Sequence, residues 1–207
     1  MGDFLSITDE DFYLIALFNQ ITYQSTTYVT SRTGDQYTFH VSKLLELVNT
    51  FHVDFKLIGS AIGIGLVIIY AVGSGIWVSN SPGWYSSLIR PSWQPPDYVF
   101  GLIWPYNFVM LGISAYQVSN RLSKGLVFAW LGFFAISIVF ALTWAYQFYV
   151  PHNLKLSAIA LGLAALLTLP ILLITYKASW KMGLLLTPYQ IWVAIATTLA
   201  WGYALKN

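Results

Sequence analysis

Three tryptophans, Trp104, Trp144 and Trp192, lie well inside long apolar runs, where an indole N–H meets no water. A buried donor left without a partner costs about 1–3 kcal/mol, so indoles gathered at that depth indicate a pocket wall or a polar network rather than a lipid-facing surface. Their chemistry is recognition. Each ring offers a flat face for stacking on a polycyclic guest and one donor to fix its orientation. Tyr85 and Trp93 add two more rings in the stretch Gly83 to Tyr106, which reads G-W-Y-S-S-L-I-R-P-S-W-Q-P-P-D-Y-V-F-G-L-I-W-P-Y and holds three Trp, three Tyr and four Pro. Pro91, Pro95 and Pro96 remove amide donors and hold the backbone extended, so no helix is expected in it before Asp97. Trp77, Trp84, Trp93 and Trp180 fall near the ends of apolar runs, where an interfacial aromatic belt accounts for them.

Catalytic and metal chemistry find little support in the residues. Cysteine is absent, which excludes disulfides and thiolate metal sites. His40, His52 and His152 show no metal-ligand spacing, and neither a phosphate-binding loop nor a nucleophile elbow is present. No Asp, Glu, Lys, Arg or His occupies the middle of an apolar run, whereas pumps and ion-coupled carriers normally keep such groups. Nothing suggests nucleic acid as a partner.

The elements that must position the aromatic residues are membrane spans. Of the 207 residues 57% are hydrophobic and 9% charged, against roughly 25% charged in soluble domains. Five runs approach the ~20 residues that a bilayer requires: Leu57 to Val78, Asp97 to Val118, Leu126 to Val150, Leu154 to Tyr176 and Pro188 to Leu205. The fold class expected is an all-α membrane protein, a five-helix bundle whose short connections make neighbours antiparallel. Small residues four apart, as in Gly59-x-x-x-Gly63, would let helices approach closely inside the bundle, and a homodimer face of the same kind is a second use. More Lys and Arg lie on the N-terminal side than on the other, which favours that side as the inner one.

Residues 1–55 differ in character. They carry seven acidic residues against Arg32 and Lys43, while 56–207 carry eight basic residues against Asp97. The start is acidic, unlike a secretory or mitochondrial presequence. A capped helix after Thr8, a β-hairpin around Thr33-Gly34-Asp35 and an amphipathic helix from Lys43 are expected, giving an extension of residues 1–55 before a transmembrane domain of residues 56–207.

Trp84-Tyr85, Arg90-Pro91-Ser92-Trp93-Gln94-Pro95-Pro96, Val99-Phe100-Gly101 and Ile103-Trp104 closely resemble the first loop and second helix of the translocator protein, or tryptophan-rich sensory protein, family. Thr187-Pro188-Tyr189-Gln190-Ile191-Trp192 is similar to its fifth-helix signature. The resemblance covers about residues 57 to 207. It implies a five-helix bundle, often dimeric, whose first loop closes over a cavity for porphyrin or haem, and in some members for sterols or aromatic drugs. Tyr85, Trp104 and Trp192 then correspond to pocket residues, Trp144 matches an aromatic position on the third helix, and Trp93 completes the ligand-binding set with the prolines as a stiffener. Two positions that are polar in many members are Ala141 and Ala200 here. The resemblance also brings a mitochondrial or bacterial inner membrane as setting, no covalent cofactor, and for some bacterial members a light-dependent porphyrin degradation by the tryptophan pair matched by Trp104 and Trp192.

A receptor or carrier for a porphyrin-like, sterol-like or other polycyclic ligand is thus the expected function, without enzymatic activity. The alternative is a ligand-free member serving as a structural subunit of a larger membrane complex, docked through residues 1–55. Leu199, Tyr203 and Lys206 also fit a permissive sterol-contact pattern.

Overall fold

The computed structural model describes residues 55–78 and 82–207. Six helices follow in order: α1 (Phe55–Val78), α2 (Pro82–Ser87), α3 (Asp97–Arg121), α4 (Lys124–Tyr149), α5 (Leu154–Ala178) and α6 (Trp180–Lys206). No strand occurs among the described residues. The expected helix, hairpin and helix of residues 1–55 lie outside them. Apart from α2, the helices have 24 to 27 residues and are long and apolar enough to cross a membrane. At a rise of about 1.5 Å per residue each exceeds the ~30 Å hydrocarbon core.

Two boundaries differ from the sequence reading. The fifth span begins at Trp180 rather than Pro188, because Ser179 ends α5 and caps α6 as well, its hydroxyl accepting from Met182 N at 3.3 Å. Pro188 lies inside the helix. There it supplies no N–H to the carbonyl four residues back, and the Tyr106 hydroxyl donates to the neighbouring Leu185 carbonyl at 2.6 Å, tying α3 to α6. The second difference is α2, a helical turn within a loop expected to be extended as far as Asp97. Proline suits the first position of a helix, and the extended backbone begins only where Pro91, Pro95 and Pro96 follow.

Helices α4, α5 and α6 are consecutive antiparallel neighbours; α1 packs on α3 and α4, and α3 on α6. The glycine row of α1 is an internal interface. A Cβ on Gly63 would stand 2.5 Å from Ala115 Cβ, and one on Gly59 2.8 Å from Ser119 Oγ, so only glycine lets α1 and α3 come this close. Polar side chains in the core are mostly paired. Trp130, fully buried, donates to Thr175 Oγ1 at 3.0 Å; Thr168 donates to Gln190 Oε1 at 2.6 Å, and Gln190 Nε2 to the Ala165 carbonyl at 3.1 Å. Among the described residues one ion pair is found, Arg90 to Asp97 at 3.6 Å, on the exposed loop side.

A side chain at position 63 must therefore push α1 off α3. Gly63→Val should lower stability by roughly 1–3 kcal/mol, the usual overpacking cost, whereas Gly65→Val, where a Cβ meets nothing within 4 Å, should leave it within ~0.5 kcal/mol. Thermal unfolding in detergent measures both.

Candidate functional site

A cavity of about 600 Å³ lies among α1, α3, α4 and α6, beneath the loop that carries α2. Its α1 side is narrow in side chains, Ala71, Ser74 and Gly75, while the other helices supply rings: Phe100, Trp104 and Phe108 from α3, Trp144 and Phe148 from α4, Trp192 and Tyr203 from α6. Period explains the grouping. Positions 100, 104 and 108 recur every fourth residue on α3, as 144 and 148 do on α4, and 192, 196, 199 and 203 on α6, so each helix turns one stripe inward.

The rings hold one another edge to face. Tyr70 of α1 meets Phe108 at 5.3 Å between centroids and Trp104 at 6.0 Å, both near perpendicular, and Phe100 meets Trp192 at 5.1 Å. This is the preferred geometry for aromatic pairs and fixes ring planes without filling the space between them. Trp144 Nε1 and Trp192 Nε1 are buried with no hydrogen-bond partner. Both rings line the cavity, while their Nε1 atoms are themselves buried.

The loop closes the cavity by hydrogen bonds from two sides. Tyr203 donates its hydroxyl to Gln94 Oε1 and is hydrogen-bonded to the Tyr85 hydroxyl at 3.1 Å, while Gln94 Nε2 donates to Tyr85 at 3.3 Å. Farther along, Ile89 N donates to Asn207 Oδ1 at 2.9 Å and Asn207 Nδ2 returns a bond to the Ile89 carbonyl at 3.3 Å. Trp84 lies flat on His152, with rings 3.8 Å apart and 11° from parallel, anchoring α2 to the turn between α4 and α5. His152 occupies the left-handed region, with φ of 60°, in that turn.

Of the five residues expected to bind, Tyr85, Trp104, Trp144 and Trp192 come together around this space. Trp93 does not. It is 51% exposed and packs with Pro91 against Gly202, where a Cβ would meet Pro91 Cγ at 2.9 Å and Trp93 Cζ2 at 3.5 Å, so it braces the loop from outside. Leu199 and Tyr203 of the sterol pattern are buried on the cavity wall, while Lys206 is exposed at the end of α6, and the three form no lipid-facing patch. Ala141 belongs to the core and lies off the wall, whereas Ala200 is on it. Gln94, Asn207, Phe100 and Phe148 were not singled out from sequence. The last is one helical turn beyond Trp144, which was the available signal; nothing in the residue pattern ties Gln94 to Tyr203. Among the described residues no group of three His, Asp or Glu is placed to hold a metal.

The TspO/MBR family pattern matches residues 61–205, which is most of the chain and all of the cavity's helices. The chain belongs to the TspO/MBR family. Among its relatives, Protein CrtK of Rhodobacter capsulatus is 34% identical over 121 residues, 58% of this chain and 76% of that one. Tryptophan-rich protein TspO of Bacillus cereus is 32% identical over 119 residues, 57% and 76% respectively. The human translocator protein is 28% identical over 130 residues, 62% and 77%. TspO/MBR membership and five membrane-crossing helices make this an integral membrane protein.

The Tyr203 hydroxyl joins both partners of the loop latch. Tyr203→Phe removes one hydroxyl and leaves Gln94 Oε1 without its donor, at a cost of about 1–2 kcal/mol to loop closure. Faster amide hydrogen exchange in residues 84–94, with the transmembrane helices unchanged, is the expected readout.

Proposed function

We propose that this TspO/MBR protein is a membrane receptor or carrier that holds a flat polycyclic ligand, porphyrin-like in shape, in the cavity under the loop. The observation that carries the reading is a space of about 600 Å³ walled by six indole and phenol rings, those of Trp104, Trp144, Trp192, Tyr85, Tyr149 and Tyr203. That volume suits a drug-sized ligand. Each 100 Å² of apolar ligand surface removed from water contributes about 2.5 kcal/mol before ordering costs, and flat aromatic walls favour a guest with a flat ring system. Among the described residues Arg90 and Asp97 are the only charged ones at the cavity, both on its exposed rim, so a ligand with an apolar body and a polar end fits best.

Binding rather than catalysis is favoured by the chemistry of the wall. Apart from the rim pair it offers aromatic rings, aliphatic chains and hydroxyls, of which those of Tyr85 and Tyr203 are engaged in latching the loop and that of Ser74 bonds back along α1.

Titration with protoporphyrin IX should quench tryptophan fluorescence to saturation at one ligand per chain. Trp192→Phe removes one donor and part of the stacking surface and should weaken binding five- to tenfold, about 1–1.4 kcal/mol. Quenching that never saturates, or that is the same in both proteins, contradicts the assignment. Under illumination the Soret band of the bound porphyrin should fade no faster than that of the free pigment in the same detergent.

A further inference from the structure

A second hollow adjoins the cavity on the outside of the bundle. It is a furrow of about 520 Å³ along the seam of α1 and α3, lined by Ile64, Ile68, Phe108, Val109, Gly112 and Ile113 among others. The furrow faces the hydrocarbon of a bilayer, and its residues occupy the central turns of both helices. Phe108 lines the furrow and the cavity alike, braced on the cavity side by Tyr70 edge-on at 5.3 Å and by Trp104 stacked at 5.7 Å. Its furrow side is open. Glycine at 112 puts no side chain into the furrow, where a Cβ would meet nothing within 4 Å. On the far side of Phe108 the contacts of α1 turn from α3 to α4, with Gly73 against Leu142 and Trp77 edge-on to Tyr146 at 5.8 Å, and α1 gives the cavity wall Ala71, Ser74, Gly75 and Val78.

The route from water is closed by chemistry of another kind. Lifting the loop means breaking the five hydrogen bonds among Tyr85, Gln94 and Tyr203 and between Ile89 and Asn207. Passing from the furrow means turning Phe108 past Tyr70 and Trp104, which meet it through ring contacts alone. A ligand that is largely apolar is also concentrated in the bilayer rather than in water.

We propose that ligands reach the cavity sideways from the bilayer, along the furrow between α1 and α3, and that the Phe108 ring is the partition they displace. The proposal rests on the binding role given to the cavity above. It assigns the furrow as an entry site for apolar, ring-bearing molecules dissolved in the membrane, with the loop as a roof that stays shut during entry.

The test uses the full chain in lipid nanodiscs mixed rapidly with vesicles preloaded with protoporphyrin IX, following tryptophan quenching in time. Gly112→Phe fills the furrow without reaching the cavity wall and should slow association and dissociation together by about tenfold while the Kd stays within about twofold. Ile64→Phe, on the facing helix, should act in the same direction and guards against a folding defect in the first variant. Saturable binding with wild-type rates in both furrow variants overturns the lateral route and leaves the binding role intact. A faster association in Asn207→Ala, with no effect of the furrow variants, places entry at the loop and also overturns it. Wild-type quenching that never saturates removes the binding role and the route with it.

Discussion

A bilayer offers no hydrogen bonds, so every polar group within it must be answered by the chain itself. That constraint accounts for most of the local structure. Five long helices satisfy their own backbones, and the connection between α5 and α6 shrinks to a single serine whose hydroxyl serves the next helix. Hydroxyls inside the spans bond back along their own helices, as Thr143 does to Val139 and Thr197 to Val193. Where Pro188 interrupts α6, a tyrosine from α3 donates to the backbone one residue from the carbonyl it leaves. The exceptions are the buried side chains of Asn107, Ser114 and Ser157 and the indole N–H groups of Trp144 and Trp192, which have no partner among the described residues.

The cavity is a product of uneven side-chain size. Helices settle at a distance set by what stands between them. Near Gly59 and Gly63 there is almost nothing, and α1 rests on α3. Near Tyr70, Trp104 and Phe108 there are three rings crossed at right angles or stacked, and the helices part. The same pair of helices is thus pinched at one end and propped at the other, and the loop spans the propped end. Edge-to-face contacts make this stable, since rings braced against one another do not need to meet in the middle.

Composition and run length were enough to read the five spans, because apolar runs of that length have one solution in a membrane. The ends were less legible. Pro188 looked like a start because proline is common there, yet a helix buried in protein accommodates an internal proline when a neighbour such as Tyr106 bonds nearby backbone. The loop was read as extended throughout because three of its prolines cluster, while six residues before them are free to coil. For the cavity, depth inside apolar runs brought out Trp104, Trp144 and Trp192, and Tyr85 came through resemblance. Trp93 misled because a motif residue need not touch what the motif encloses. Gln94 and Asn207 were invisible, since their partners Tyr203 and Ile89 are more than a hundred residues away in the chain and only the folded bundle brings them together.

Tyr203 is part of the wall and also the donor that holds the roof. The two roles draw on one proton. A guest whose oxygen or nitrogen settles beside that hydroxyl competes with Gln94 for it, and occupation from below then loosens the cover above. An apolar guest makes no such demand and leaves the cover fastened. Under the proposed binding role, one phenol thus couples the polarity of a guest to the fastening of the loop.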